Sequence, residues 1–209
     1  VWVYPRIESL NVGDVLLTQD VEEALAALKQ GRKVLFSPKM SYLKGLEGKF
    51  LPVFWSPVHF PRQAGTMGLL CNTQHAALRH FPTEMHSNWQ WWSIVRHARP
   101  FILNATRHEY KPLIQVVDNV ERNHKLGLLF EFAVDNGKVL VCMSNLEAIR
   151  HTPEGGQLRN AILSYMKSAE FSPTETLTSQ QLQHILTTEV RKQDIVGVKN
   201  QSDYDVQPE

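Results

Sequence analysis

The segment from residue 14 to residue 38 constrains the fold most, because it reads as a strand, a helix and a second strand in direct succession. The run DVLLTQD predicts a short strand, and Asp20 at its end can cap a helix, with Glu23 at the capping-box distance. Apolar residues then recur at helical spacing until Gly31, which ends the helix. The run KVLFSP predicts the second strand. This order is typical of a parallel sheet with a right-handed crossover.

Later apolar runs predict more strands. GLLCN at residues 68–72 is a short apolar run, and four of the eight residues of PLIQVVDN at residues 112–119 are Leu, Ile or Val, which favours strands buried on both faces. KLGLLFEFAV and KVLVCMSNL flank an Asp-Asn-Gly turn at residues 135–137, which is a strong hairpin signal. A weaker strand, FLPVFW, lies in a loop-rich region. We therefore expect a mostly parallel sheet, containing the strands near Lys33, Gly68 and Pro112, with an antiparallel hairpin.

Helical periodicity returns in the last third of the chain. Residues 155–171 carry apolar side chains at helical spacing and predict a helix that packs on the sheet. Residues 179–192 suggest a further amphipathic helix, and the composition from residue 194 onward is that of a polar tail. Together with the strands, these helices predict an α/β fold.

The run FPTEMHSNWQWW at residues 81–92 holds three of the five tryptophans. If a helix starts at Ser87, Trp89 and Trp92 share one face and Trp91 points elsewhere. We therefore expect Trp89 and Trp92 to be anchors of a core, and Trp91 to contact a second surface. The polar residues beside them suit either sugar hydroxyls or the rim of a protein interface. The candidate residues for carbohydrate binding or a domain interface are His86, Asn88, Trp89, Gln90, Trp91 and Trp92.

Cys71 is the sharpest candidate for catalysis, because it lies between a predicted strand and a helical turn, where a nucleophile elbow places a reactive thiol. An amidotransferase elbow reads G-x-C-x-G-x-Q, and the run LCNTQ has neither the second glycine nor the right glutamine spacing. We therefore expect a buried, unreactive thiol. The carboxylates Glu84, Asp118 and Glu131 are expected to be solvated or bonded to neighbouring loops, so no catalytic residue is assigned.

Charge and spacing argue against several other classes of protein. The net charge is +1 and no block of lysine or arginine exceeds a pair, which is unlike a nucleic-acid binder. No apolar run approaches the roughly 20 residues of a membrane-spanning helix. The histidines show no i, i+4 pair beside a carboxylate, and the two cysteines have no CxxC spacing. We expect no metal, no cofactor, no nucleic acid and no membrane insertion.

Three long runs carry a family resemblance: FPTEMHSNWQWW, IQVVDNVERNHKLGLLFEF and GKVLVCMSNLEAIRHTPEGGQLRNAILSYM. They resemble the C-terminal region of bacterial family 2 glycoside hydrolases, the beta-galactosidase-like enzymes of the Bacteroides type. The opening VWVYP, which begins abruptly, resembles the last strand of a preceding beta-sandwich. The resemblance extends over about residues 1–170.

The resemblance implies a three-layer flavodoxin-like domain, similar to class I glutamine amidotransferases, whose elbow chemistry is lost. It implies the end of a beta-sandwich or a linker at residues 1–10, this α/β domain at residues 11–171, and a C-terminal helix and tail at residues 172–209. The catalytic carboxylates of that family lie on a separate barrel domain, so the implied partners are other domains of the same glycoside hydrolase chain, and the implied location is periplasmic or extracellular. A carbohydrate and a second copy of the chain are further candidate partners.

Two alternatives remain open beside this non-catalytic accessory domain. The first is a carbohydrate-binding module that uses the cluster from Trp89 to Trp92. The second is a free-standing, cysteine-dependent amidotransferase-like hydrolase that uses Cys71.

Overall fold

The computed structural model describes residues 1–6, 11–39, 46, 66–119 and 122–187. The strands in this part are β1 Val15–Thr18, β2 Lys33–Phe36, β3 Thr66–Cys71, β4 Phe101–Ile102, β5 Ile114–Asp118, β6 Leu126–Val134, β7 Gly137–Cys142 and β8 Thr176–Leu177. The helices are α1 Val21–Lys29, α2 Trp92–Arg96, α3 Pro153–Lys167 and α4 Ser179–Thr187, with short 3₁₀ turns at Ala76–Leu78 and Trp89–Trp91. The predicted FLPVFW strand and the polar tail lie outside the described residues.

The predicted strand–helix–strand unit is confirmed. β1 and β2 pair in parallel, and α1 connects them. The side chain of Asp20 caps α1, because its Oδ1 accepts a hydrogen bond from the backbone N–H of Glu23 at 2.8 Å. β2 also pairs in parallel with β7, so three neighbouring strands run in one direction. The fold is α/β, as expected.

The other half of the sheet is antiparallel. The strand order is β1-β2-β7-β6-β5-β3, and each pairing from β7 to β3 is antiparallel. The hairpin predicted at residues 135–137 joins β6 to β7, with Val134 opposite Gly137. The expectation of a mostly parallel sheet is therefore met only in part, since β3 runs against β2 and β5. An apolar run predicts burial, but it does not encode the direction of a strand.

β6 is the central and longest strand. Leu129 lies opposite Ile114 of β5 and Cys142 of β7, so β6 has a neighbour on both edges. Near its C-terminal end, Ala133 lies opposite Lys138 of β7 and Thr176 of β8. Every β6 residue except Ala133 is buried, including its one charged residue, Glu131.

The helices form two packed groups. α1 contacts β1, β2 and β7 and packs against α4, which also contacts β8. α3 packs against α2 and against the 3₁₀ turn at Ala76–Leu78. Thr152 caps α3 by accepting a hydrogen bond from the N–H of Gly155 at 3.1 Å. No helix in the described ranges is long and apolar enough to cross a membrane.

Residues 1–6 form no strand, although the opening VWVYP resembles the last strand of a beta-sandwich. Tyr4 instead stacks on Phe81, with ring centroids 6.0 Å apart, while Val1, Trp2 and Val3 are exposed. A strand needs a neighbour to accept its backbone hydrogen bonds, and no described residue pairs with this segment.

Candidate functional site

We call residues 81–92 the aromatic segment. It ends in a 3₁₀ turn that leads directly into the helix α2. Asn88 caps the 3₁₀ turn at Trp89–Trp91 by accepting a hydrogen bond from the N–H of Gln90 at 3.0 Å. The helix α2 starts only at Trp92. Because a 3₁₀ turn has three residues per turn, the faces that helical spacing from Ser87 would assign do not apply here.

Trp91 is the core residue of this segment. Its side chain is fully buried and packs edge-on against Phe81, with ring centroids 5.1 Å apart. The indole Nε1–H donates a hydrogen bond to Oγ1 of Thr83 at 2.8 Å, so its one polar group is satisfied. The expectation that Trp91 faces a second surface is therefore wrong.

Trp89 and Trp92 do share a face, as predicted, but that face points outward. Their rings meet edge-on at 5.5 Å, and 74% of Trp89 is exposed. Trp92 is half-buried, and the guanidinium of Arg96 lies 5.6 Å from the centroid of its ring. The expectation that both are core anchors is wrong, because the turn preceding α2 rotates Trp91 into the interior instead.

Gln90 also belongs to the interior. It is buried, and its Nε2 donates hydrogen bonds to the hydroxyl of Tyr4 at 2.6 Å and to the carbonyl of Pro82 at 2.9 Å. Of the candidates for a binding surface, Gln90 and Trp91 therefore lie inside, whereas His86 and Trp89 lie outside and Asn88 and Trp92 are half-buried. The hydrogen bond from Gln90 to Tyr4 also holds the N-terminal residues beside the aromatic segment.

The exposed polar residues beside Trp89 are linked through one carboxylate. Oε2 of Glu84 accepts a hydrogen bond from Nδ2 of Asn88 at 3.3 Å and lies 3.1 Å from Nε2 of His86. Glu84 and His86 are both exposed. A connected group of donors and acceptors therefore lies among the residues that directly precede Trp89 in the chain.

The residues before Trp89 cover the backbone of the edge strand β3. The N–H of Cys71 donates to the carbonyl of Met85 at 2.8 Å, and the N–H of Leu69 donates to Oγ of Ser87 at 3.2 Å. Leu70 and His86 form an isolated antiparallel bridge. Four large apolar side chains on β3 and in this covering segment are exposed, and we call them the edge surface: Met67, Leu70, Met85 and Trp89.

The edge surface stands out in the described part of the chain. Apart from Val1, Trp2 and Val3, no other large apolar side chain there is exposed. Single exposed apolar residues are ordinary, but several along one edge are typical of an interaction site.

The thiol of Cys71 is poorly suited to catalysis. Its side chain is buried, and burial raises the pKa of Cys71 to about 12, although a hydrogen bond with Thr83 works against the shift. A nucleophilic cysteine needs a lowered pKa, which cationic neighbours or a helix N-terminus normally supply. The high pKa agrees with the unreactive thiol that the sequence predicts. Burial raises the pKa of Cys142 to about 12 as well.

The three carboxylates singled out in the sequence lie in different surroundings. Glu84 is exposed. Asp118 is buried and pairs with the buried guanidinium of Arg122. It also accepts hydrogen bonds from the backbone N–H groups of Asn119 and His124, which lie between β5 and β6. This agrees with the expected bond to a neighbouring loop.

Glu131 contradicts the expectation, because it is 8% exposed and meets a side chain of α3 rather than solvent. Its two carboxylate oxygens accept hydrogen bonds from the hydroxyl of Tyr165 at 2.9 and 3.1 Å. Burial raises the pKa of Glu131 to about 7. A single charged residue inside the apolar run LGLLFEFAV was the signal for this buried site, whereas no local pattern pointed to Tyr165.

The described residues contain no group of three or more His, Cys, Asp or Glu side chains that could hold a metal ion. Comparison with curated proteins finds no match. A family described as a domain of unknown function (DUF8487) matches residues 16–187, from β1 to the end of α4. The chain therefore belongs to the DUF8487 family of domains of unknown function.

Proposed function

We propose that this chain is a non-catalytic accessory domain of a carbohydrate-degrading glycoside hydrolase of the beta-galactosidase-like type. In this proposal the edge surface docks against another domain of the same polypeptide. The observation that carries the proposal is that Met67 and Leu70 on the edge strand β3, and Met85 and Trp89 in the segment beside it, are exposed large apolar side chains. The three sequence runs that resemble the C-terminal region of such enzymes supply the enzyme class.

The chemistry of the interior supports a non-catalytic role. The thiol of Cys71 is held in its protonated form by burial, so it is a weak nucleophile at neutral pH. Asp118 is neutralised by Arg122, and Glu131 is bonded to Tyr165. Each of these two carboxyls is therefore bonded to another protein group.

The position of the N-terminal segment supports a docking partner within the same chain. Tyr4 packs on Phe81 and bonds to Gln90, which precedes Trp91 and follows Trp89 in the chain, and Val1 to Val3 are exposed. If a domain precedes Val1, as the resemblance implies, its connection reaches the domain beside the aromatic segment. A short connection gives a neighbouring domain a high effective concentration at a nearby surface.

The finer fold assignment is part of the proposal. The parallel strands β1, β2 and β7, with helices packed in two groups, support a three-layer flavodoxin-like arrangement related to class I glutamine amidotransferases. The antiparallel strands β6, β5 and β3 then form an extension of its sheet.

The test starts from the complete reading frame that encodes the chain. We expect it to encode a barrel domain with two catalytic carboxylates, and a frame without one overturns the assignment to a glycoside hydrolase. Amide hydrogen exchange is then compared between the 209-residue chain and the complete protein. Slower exchange at residues 85–89 in the complete protein is expected, and equal exchange contradicts docking.

A substitution separates docking from folding. Trp89→Asp places a charge in the edge surface and should restore fast exchange at residues 85–88 in the complete protein, while the melting temperature of the 209-residue chain changes little. Gln180→Asp, at an exposed position on α4, is the matched control and should change neither quantity.

One observation favours a second candidate, a carbohydrate-binding module. Trp89 is an exposed ring that closely follows Glu84, His86 and Asn88 in the chain, and Glu84 contacts both of the other two. A sugar site commonly combines a flat apolar face with fixed polar groups. Tryptophan fluorescence of the chain is titrated with galactosides, glucuronides and their oligomers. Saturable binding that Trp89→Ala abolishes without a change in melting temperature would establish this candidate, and no saturable change in fluorescence would rule it out.

A further inference from the structure

The carboxylate of Glu131 is the centre of a buried polar cluster on β6. The hydroxyl of Tyr165 on α3 donates to both of its oxygens. The hydroxyl of Tyr110 bonds to the backbone of the same residue, donating to its carbonyl at 3.0 Å and accepting from its N–H at 3.2 Å. These contacts hold Glu131 between β6, α3 and the loop that precedes β5.

His75 also faces this carboxylate. Its Nδ1 accepts a hydrogen bond from the N–H of Ala77 at 3.3 Å, so Nδ1 carries no proton. The remaining nitrogen, Nε2, lies 3.9 Å from Oε1 of Glu131, which is too long for a hydrogen bond. The ring packs edge-on against Tyr165 at 5.2 Å, and burial lowers the pKa of His75, which keeps the imidazole neutral.

Residues 72–81 connect this cluster to the aromatic segment, and we call them the connecting segment. His75 lies near its start and Phe81 at its end, where Phe81 contacts both Trp91 and Tyr4. Between them, the 3₁₀ turn at Ala76–Leu78 packs on α3, and Gln157 of α3 donates a hydrogen bond to the carbonyl of His80. A change in how the connecting segment packs on α3 therefore alters the contact between Phe81 and Trp91.

We propose that Glu131, Tyr165 and His75 form a proton-linked latch, which holds the connecting segment on α3 while Glu131 is protonated and loosens it when Glu131 ionises. An ionised carboxylate at this position receives one hydroxyl donor and faces a neutral imidazole, which is far less than the hydration that it has in water. Opening the connecting segment admits water to the carboxylate. Burial raises the pKa of Glu131 to about 7, so the change falls in the neutral range.

Other charged side chains around the cluster also affect the pKa values of its members. Lys138 on β7 lowers the pKa of Glu131, which limits the upward shift. Glu170 faces His75 and Tyr165, and Glu175 faces Tyr110. Hydrogen bonds from Arg79 and Arg107, respectively, lower the pKa of these two carboxyls, so both stay ionised through the neutral range.

The direction of the effect follows from proton linkage. The pKa of Glu131 is about 7 in the closed segment and returns toward 4.5 when the carboxyl meets water, so opening becomes easier as the pH rises between these values. The lowered pKa of His75 works in the opposite direction, because an opened segment binds a proton at His75 more readily as the pH falls. Glu131→Gln cannot ionise and isolates the contribution of His75.

Hydrogen exchange of the 209-residue chain tests the latch. Protection factors of the amides in the connecting segment are measured at pH 6 and pH 8 for the wild type and for Glu131→Gln. The opening constant of the wild type, divided by that of Glu131→Gln, is expected to rise about tenfold between these two pH values. Glu147→Gln, at an exposed carboxylate beside Arg150, is the matched control and should follow the wild type.

The same pH dependence in the wild type and Glu131→Gln overturns the latch. A second variant covers the case in which Glu131→Gln does not fold. Tyr165→Phe removes the hydrogen bond that lowers the pKa of Glu131, so the midpoint of the exchange transition should move to higher pH, and an unchanged midpoint contradicts the proposal. These measurements use the chain alone, so they remain valid if the proposed docking fails.

Discussion

Trp91 packs edge-on against Phe81 at 5.1 Å, and this contact joins the aromatic segment to the connecting segment. Trp91→Ala should lower the free energy of unfolding by about 3–5 kcal/mol, because it empties a fully buried site of the largest side chain. Urea denaturation followed by circular dichroism measures the change. Trp89→Ala is the matched control at an exposed position and should cost about 1 kcal/mol or less. Equal losses for the two variants would contradict the assignment of Trp91 to the core.

The hydrogen bond between Trp91 and Thr83 gives a second prediction. Thr83→Val keeps the shape of the side chain but leaves the buried indole N–H without its acceptor, so we expect a loss of about 1–3 kcal/mol. In a Trp91→Phe background there is no N–H to satisfy, and the same substitution should cost clearly less. Chemical denaturation of the four proteins in this double-mutant cycle gives the coupling. A coupling near zero would show that the bond does not contribute.

The sequence predicts those parts of the fold that depend on local patterns. The cap at Asp20, the periodicity of α1 and the turn at residues 135–137 are each encoded within a few residues, and the structure confirms them. The directions of β3 and β5 have no such local signal, because an apolar run is compatible with either direction.

The candidate site was predicted less well, for two physical reasons. The orientation of the tryptophans depends on a 3₁₀ turn before α2, and helical spacing applied from Ser87 reverses which ring is buried. The partners of Glu131 come from distant parts of the chain, since Tyr165 is 34 residues away in sequence. A lone charge in an apolar strand indicates a buried polar site, but it does not name the residue that completes it.

The first turn of α3 allows a matched pair of substitutions. A Cβ added at Gly155 would lie 2.2 Å from the carbonyl oxygen of Ile149, whereas one at Gly156 would lie 3.2 Å from that of Arg150. Gly155→Ala should destabilise the protein by about 1–3 kcal/mol, because backbone must move to relieve the overlap. Gly156→Ala should change stability by about 1 kcal/mol or less, since a small shift suffices and alanine favours the helix. Thermal denaturation compares the two, and an equal effect would contradict this packing of α3.

The reactivity of Cys71 distinguishes an accessory domain from a cysteine-dependent hydrolase. With its pKa raised to about 12, only about one Cys71 in ten thousand is a thiolate at pH 8, and the side chain is also buried. A thiol reagent should therefore label the folded chain very slowly, and both cysteines should react at once in urea. Cys142→Ser leaves Cys71 as the single thiol and assigns the signal. Rapid, stoichiometric labelling of folded Cys142→Ser at neutral pH, together with an amidase activity that Cys71→Ser removes, would overturn the non-catalytic assignment and establish Cys71 as a nucleophile.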